Sequence, residues 1–458
     1  MTDSNARPTP PDTSLRAFLR LAWPIFIANL AIVGNGTVDT IMAGRLSPDD
    51  LAAVAIGLAA YISIYMGLVG VLQGLSPIAG HHYGARRYRQ VGFELQQAMW
   101  LALLLLLVGA PLISATGLWL GLAKAEGHVA ELATTYLHAV AFGLPAALGA
   151  RAFIALNAAV SRPKVMMVIS LSTLALKVPL NALFMYGLGP IPAFGGAGAG
   201  IATAILSWVA LGLFWSVWRW DPFYQRLRAP RVHAPQAAAL IKLLKLGVPI
   251  GLSTLFEVTS FTFMAIFIAR LGADTVGGHQ IVANLTALLF MIPLSLGIAT
   301  SVLVAQSLGA DNARQARNAT LRGLRVSVVI AVFAAAGLWL FREPLIGLYT
   351  TNAAVATVAL GLIGYGAIFH VFDALQAIGG FALRGYHVTF WPMVIYGVLL
   401  WAVGLGGGSW LAFSTTPLGP PMGAAGFWTC TMIGLIGAGL TLASFALWVS
   451  AVRVREAR

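Results

Sequence analysis

Residues 19–25 read Leu-Arg-Leu-Ala-Trp-Pro-Ile, and residues 244–250 read Leu-Lys-Leu-Gly-Val-Pro-Ile. Pro24 and Pro249 are 225 positions apart. The same offset pairs Arg45-Leu46 with Arg270-Leu271, Met66 with Met291, Gly84-Ala85 with Gly309-Ala310, and Arg89-Gln90 with Arg314-Gln315, with no gap between them. Further on, Gly200 and Thr203 pair with Gly426 and Thr429 at an offset of 226. Two apolar stretches can resemble each other by chance, but chance does not align Arg, Gln and Pro at loop positions. The chain is an internal duplication.

What is duplicated is a membrane unit. Of 458 residues 59% are hydrophobic and only 9% are charged, against about 25% charged in ordinary soluble domains. Mean hydropathy is +0.84. Such a chain cannot cover its surface with polar groups, so its solvent is lipid. This excludes a soluble enzyme, a nucleic-acid module and a disordered scaffold. The net charge of +13 reads as basic loops facing an anionic leaflet, not as a nucleic-acid footprint. Cys430 is the single cysteine, so there is neither an internal disulfide nor a thiolate zinc site.

A helix needs about 20 apolar residues to cross a bilayer. Twelve stretches qualify, near 20–41, 51–78, 92–118, 132–157, 165–187, 198–218, 246–269, 277–307, 323–341, 355–383, 388–413 and 424–450. Met1 to Ser14 is polar and holds three prolines, and reads as a disordered tail. No charged segment leads a short apolar run to a small-residue cleavage site, so the first span is expected to stay as a helix. The tails and even-numbered loops carry 22 Lys/Arg, and the odd-numbered loops only Arg45, Lys124, Arg270 and Arg342. By the positive-inside rule both termini are expected in the cytoplasm.

The expected fold is therefore an all-α membrane protein of twelve transmembrane helices in two six-helix lobes. Its expected parts are a tail (1–17), an N-terminal lobe (18–218), a cytoplasmic linker (219–243) and a C-terminal lobe (244–458). An even number of spans per copy makes the repeats parallel, related by an axis normal to the membrane. Such folds commonly enclose a transport path and work by alternating access. Pro24 and Pro249 fit either a bend in the first and seventh helices or helix starts near the interface.

No Gly-Lys pair exists in the chain, so there is no Walker A loop and no ATP site of that kind. Neither H-E-x-x-H nor G-x-S-x-G occurs. His138, His279 and His370 lie in or near spans but are scattered over both lobes, and read as core or interface residues. An enzyme is not expected. The run Gly195-Gly196-Ala197-Gly198-Ala199-Gly200 opens an apolar span with no strand before it, and reads as close helix packing, not dinucleotide binding.

Charges inside spans cost at least about 2.5–3.5 kcal/mol each, which makes them candidate functional sites. Three acids sit well within spans: Asp39 in the first, Glu257 in the seventh and Asp373 in the tenth. Glu257 and Asp373 fall in one lobe and could share a cavity. Two carboxylates in a low-dielectric cavity cannot easily both be ionised, so one takes a proton or both hold a cation. Of the basic residues only Arg151 and Lys177 lie well within spans, away from their ends. Arg151 reads as snorkelling to an interface. Lys177, with Asn181 one turn on, either snorkels or sits beside Asp39, where its ammonium would take the place of a bound sodium ion.

Several segments resemble one family. Val38-Asp39-Thr40-Ile41-Met42-Ala43-Gly44-Arg45 resembles the end of helix 1 in the multidrug and toxic compound extrusion (MATE) family, NorM-type branch. Phe256-Glu257-Val258-Thr259, His279-Gln280-Ile281, Asp373-Ala374-Leu375-Gln376 and Leu383-Arg384-Gly385-Tyr386 are similar to the same branch, over residues 15–450 in all. The resemblance implies a secondary antiporter of the bacterial cytoplasmic membrane. It would export organic cations and other xenobiotics in exchange for protons or sodium, with no cofactor beyond the coupling ion. By resemblance, Glu257 and Asp373 match the carboxylates of a cation site that could hold sodium. Asp39 matches an aspartate linked to ion and drug binding. Gln280 and Asn284 match polar residues facing the central substrate cavity.

Two positions depart from the branch. Two asparagines are common on helix 5 where this chain has Lys177 and Asn181, and a tyrosine is common one turn before the helix 10 aspartate where it has Phe369. Both changes remove oxygen ligands for sodium and favour protons. The implied partners are cationic or amphipathic drugs and the lipid bilayer, with no nucleic acid and no second subunit required. The alternatives are a lipid-linked-precursor flippase of the same superfamily, which would want a basic cavity for pyrophosphate, and a membrane-embedded enzyme.

Overall fold

The structure is a computed structural model that describes residues 11–187, 189–415, 417 and 419–457. Twelve helices are long and apolar enough to cross a membrane: α1 (Leu15–Leu46), α2 (Pro48–Gly84), α3 (Tyr88–Ser114), α4 (Gly127–Ala159), α5 (Pro163–Tyr186), α6 (Ala197–Trp220), α7 (Ala237–Ala269), α8 (Ala273–Gly309), α9 (Ala313–Leu340), α10 (Ala353–Gly385), α11 (Phe390–Phe413) and α12 (Ala424–Glu456). No strand occurs among the described residues.

Several helices run past the apolar stretches that betray them. Helix α9 starts at Ala313, ten residues before the span expected at 323, and α7 starts at Ala237, nine before 246. Hydropathy marks only the lipid-immersed part of a helix, while caps set its ends. Ser47 accepts from the amide of Asp50 at 3.0 Å, with Pro48 in the first turn of α2. Asn312 caps α9 through the amide of Gln315 at 3.0 Å, and Asn352 caps α10 through that of Ala354 at 2.9 Å. The tail expected to be disordered is ordered in part. Residues 1–10 lie outside the described residues, but Asp12 accepts from the Ser14 amide at 2.8 Å ahead of α1, and Pro11 accepts from the Gln315 side chain.

The duplication is written in the backbone. Helices α2, α4, α8 and α10 all end with a non-glycine residue in the left-handed region: Arg86 (φ 56°), Ser161 (φ 59°), Asp311 (φ 55°) and His387 (φ 62°). Each is followed by an amide that bonds five residues back: Arg87 to His82 (2.9 Å), Arg162 to Asn157 (2.8 Å), Asn312 to Ser307 (2.9 Å) and Val388 to Leu383 (2.8 Å). This is one helix-terminating motif used four times, and its positions match at the offsets of 225 and 226. The packing repeats too. In each half the fourth helix of the copy lies between the second and the sixth, α4 between α2 and α6, and α10 between α8 and α12.

Small residues allow those contacts. A Cβ at Gly198 would stand 2.5 Å from the Phe184 backbone, and one at Gly200 2.9 Å from Tyr136. One at Gly196 would stand 2.7 Å from the Asp50 carbonyl oxygen. The Gly195–Gly200 run is thus a packing surface.

The chain forms two compact units, residues 23–251 and residues 1–22 with 252–458. This differs from the lobes expected at 18–218 and 244–458. Helices α1 and α7 each change unit part-way along, within three residues of Pro24 and Pro249. Both prolines are interior to their helices, so neither is a helix start. The segment expected as a cytoplasmic linker, 219–243, belongs to the first of these units. Gln97 donates to the Ala234 carbonyl (3.1 Å) and accepts from the Gln236 amide (2.8 Å), and Trp100 donates to the His233 carbonyl (3.0 Å). Lys242 and His82 both reach the buried carboxylate of Glu94, at 3.4 and 3.3 Å.

The first stretch of α7 then crosses α2 at backbone contact. Gly70 and Gly74 on α2 meet Gly247 and Gly251 on α7. A Cβ on Gly70 would lie 2.4 Å from Gly251 Cα, and one on Gly247 would lie 2.1 Å from the Val71 oxygen. Two Gly-x-x-x-Gly pairs facing each other allow the close approach on which helix association in lipid depends.

Candidate functional site

Each unit buries one polar cluster around the carboxylates singled out in the sequence. In the unit of residues 23–251, Asp39 (α1), Lys177 and Asn181 (α5) come together, all nearly free of solvent. Lys177 Nζ lies 2.8 Å from Asp39 Oδ1. The same ammonium donates to Thr203 Oγ1 at 2.6 Å and to the Ala199 carbonyl at 3.3 Å. Asn181 Nδ2 donates to Asp39 Oδ1 at 2.7 Å. An ammonium has three donors, and here three oxygens receive them. The lysine ammonium therefore occupies the cation position at Asp39 Oδ1. Arg151 lies elsewhere in the unit and does not join this cluster; Tyr65 receives its Nε.

In the other unit, Glu257 (α7) and Asp373 (α10) share a neighbour that the sequence did not single out. Gln376, one turn beyond Asp373, donates from Nε2 to Asp373 Oδ1 at 2.9 Å and to Glu257 Oε1 at 3.5 Å. Tyr396, the last residue before the π-helical stretch of α11, donates to Gln376 Oε1. The two carboxylates are thus two hydrogen bonds apart across one amide group. Arg384, two turns beyond Gln376 on the same face, brings a positive charge to bear on Glu257. The α7 backbone beside Glu257 is tied to α11, since Trp401 Nε1 donates to the Phe256 carbonyl at 3.1 Å and Ser260 to that of Leu400 at 3.3 Å.

Phe369, standing where the branch has a tyrosine, is buried edge-on between Phe261 (5.6 Å) and Trp428 (6.0 Å). It offers no oxygen to either carboxylate. Gln280 and Asn284, expected at a substrate cavity, are exposed, and neither hydrogen-bonds the carboxylates; Asn284 Oδ1 accepts from Tyr349 at 2.8 Å. Of the histidines, His279 accepts from Trp428 Nε1 at 3.2 Å, and His370 is fully buried with neither ring nitrogen partnered. Among the described residues no three His, Cys, Asp or Glu gather as a metal cluster.

Both clusters sit where a helix changes hydrogen-bond register. The π-helical stretch of α5, Ala182–Tyr186, begins right after Asn181, and that of α11, Gly397–Gly407, right after Tyr396. Wide turns of this kind recur at functional sites, and these two fall on repeat-related helices. Gln376 could have been found as the polar residue three beyond Asp373 on the same helix face. Thr203 appeared in the repeat match, but nothing in its surroundings distinguished it. For Tyr396 there was no local signal.

The MatE family profile matches residues 24–183 and again 249–406, two copies that start on the repeat-related prolines. A probable multidrug resistance protein NorM of Aromatoleum aromaticum is 42% identical over 91% of this chain and 90% of its own length. The multidrug resistance protein NorM of Vibrio cholerae is 36% identical over 94% of each. Among solved structures, an outward-facing MATE family transporter superposes with a TM-score of 0.87 at 19% identity over 99% of this chain and all of its own. A eukaryotic MATE transporter does so with 0.86 at 19% identity over 98% of this chain and all of its own.

Proposed function

The chain belongs to the MatE family of multi-pass membrane transporters, and from that premise we propose that it is a multidrug efflux antiporter coupled to protons. The relatives named as multidrug resistance proteins support drug export over the flippase and enzyme readings. Organic cations entering from the cytoplasm are the expected substrates. The twelve spans and the bacterial relatives support a place in the inner membrane, and the loop charges support cytoplasmic termini.

The observation that carries proton coupling is the Gln376 amide group held between Glu257 and Asp373. Its N–H donors point at both carboxylates, and its oxygen is occupied by Tyr396. A sodium shell wants several oxygen acceptors turned inward. Here the shared neighbour turns donors inward, which suits carboxylates that alternate between ionised and protonated forms. Phe369 removes one further oxygen, and Lys177 fills the other candidate cation position beside Asp39.

The cycle then runs as follows. With the site open to the outside, a proton enters the Glu257–Asp373 pair and relieves the repulsion of two charges in a low dielectric. The pair, now carrying one negative charge fewer, attracts a cationic drug less, and the drug leaves. With the site open to the cytoplasm the proton departs, and the restored charge draws the next cation. Each elementary charge moved gains about 2.3 kcal/mol per 100 mV of membrane potential.

Glu257→Gln is expected to abolish gradient-driven export of a fluorescent organic cation while leaving the purified protein folded and monodisperse. Export at the wild-type rate by this variant contradicts the assignment of Glu257.

A further inference from the structure

In the unit of residues 23–251, two basic loops meet on one aromatic ring. Asp221 follows α6 and caps the short turn Pro222–Gln225 by accepting from the Phe223 amide at 2.8 Å. Phe223 then carries two guanidiniums. Arg162, between α4 and α5, has its guanidinium carbon 4.6 Å from the ring centre, and so has Arg226. The Arg226 carbon also lies 4.8 Å from the ring centre of Tyr88, at the start of α3. The turn beneath them is fastened on both sides. Tyr224 is buried and donates to Asn157 on α4, and Arg228 Nε donates to the Trp218 carbonyl on α6 at 3.0 Å.

The aromatic faces hold both cations, but like charges so close repel, and the chain supplies one counter-charge for two. Asp221 Oδ2 lies 3.0 Å from Arg162 Nη2. Arg226 is exposed and, among the described residues, makes no ion pair. Arg87, Arg89, Lys164 and Arg219 add exposed positive charge at the same helix ends. The position that matches Arg162 at the offset of 226 is Val388, so the duplication did not bring this cluster along.

The face of α6 that leads to the cluster is open. Trp208, Gly212, Trp215 and Arg219 are all exposed and follow one another at helical spacing, as one stripe. A Cβ at Gly212 would have nothing within 4 Å, so the two tryptophans flank a notch. Trp220, 71% exposed, ends the helix, at the level where aromatic residues mark the headgroups. The positive-inside rule sets this end against the cytoplasmic leaflet, whose lipids are in part anionic.

We propose that Arg226 and Arg162, held on Phe223, bind the phosphate of one anionic phospholipid whose acyl chain lies along α6 over Gly212. The planar guanidinium fork suits two phosphate oxygens. The headgroup supplies the missing counter-charge and ties the turn after α6 to the ends of α3 and α4. The lipid is thus a stabilising ligand of this unit.

The probe is phosphatidylglycerol against phosphatidylcholine, each added to the purified full-length protein in detergent. Retention is followed by native mass spectrometry, and stability by melting temperature; neither readout depends on transport. Wild type is expected to retain phosphatidylglycerol and to melt higher with it, and to do neither with phosphatidylcholine. Arg226→Gln is expected to weaken phosphatidylglycerol retention at least about fivefold and to abolish the gain in melting temperature. Arg226→Lys, which keeps the charge without the fork, is expected to fall between. Gly212→Leu, which fills the notch and leaves every charge in place, is expected to weaken retention too. Arg455→Gln, which removes one exposed charge from the end of α12, is expected to change neither readout.

Equal retention of the two lipids by wild type overturns the proposal. So does an equal loss in Arg226→Gln and Arg455→Gln, which reduces the binding to net charge. Displacement of phosphatidylglycerol by millimolar inorganic phosphate, with Gly212→Leu like wild type, assigns the arginines to a soluble phosphate and overturns it as well. Should Arg226→Gln fail to fold, Arg226→Lys and Gly212→Leu decide.

Discussion

Lys177 meets Asp39, Thr203 and the Ala199 carbonyl in a pocket closed to solvent. Removing one partner of such a pair leaves a buried charge uncompensated, at a cost of about 3–5 kcal/mol, whereas replacing both by neutral groups can be nearly neutral. Lys177→Met is therefore expected to lower the thermal stability of the purified protein sharply, and Asp39→Asn combined with Lys177→Met to restore much of it. A single Lys177→Met variant as stable as the wild type contradicts the pairing. In the other unit, Gln376→Leu removes the donors between Glu257 and Asp373. It is expected to slow gradient-driven export by an order of magnitude or more, about 1.4 kcal/mol, without loss of folded protein; export at the wild-type rate removes Gln376 from the site. What could be read from sequence at this scale was the set of ionisable residues, because a charge in an apolar span is costly enough to be conspicuous. Gln376 was legible only as a polar residue on the same helix face as Asp373, and Thr203 and Tyr396 were not legible. Neutral polar residues are common in membrane helices, and their role depends on which helices are neighbours, which no local pattern encodes.

The close crossing of α2 and α7 depends on Gly70, Gly74, Gly247 and Gly251. At Gly247 a side chain would meet the Val71 oxygen at 2.1 Å, a backbone atom that cannot swing away. Gly247→Val is expected to destabilise by about 1–3 kcal/mol or more, seen as a fall in melting temperature. Gly67→Ala, on the same α2 helix but with nothing within 4 Å of the added carbon, is expected to leave it unchanged or slightly raised. Equal effects at the two positions contradict the close crossing. The number of helices was plain from the sequence, since a span of lipid sets a minimum apolar length. Their ends were not, because α7 and α9 continue for nine or ten residues beyond their apolar stretches. The π-helical stretches after Asn181 and Tyr396 were equally hidden. A change from four-residue to five-residue spacing leaves composition untouched.

For the whole molecule the duplication was the most legible feature, and the structure extends it to four matched helix ends and two matched helix trios. Composition and packing divide the chain in different places, for a physical reason. Composition places a boundary in the polar segment 219–243, whereas packing places it at the two repeat-related prolines, because the start of α7 is fastened to α2 by glycines and to α3 through Glu94. Energy coupling is likewise a property of the whole molecule. Purified protein in liposomes loaded with a fluorescent organic cation can be given a proton gradient or a sodium gradient, one at a time. A donor-lined carboxylate pair with Lys177 beside Asp39 predicts transport driven by the proton gradient alone and indifferent to sodium. Transport that requires sodium and ignores the proton gradient contradicts it.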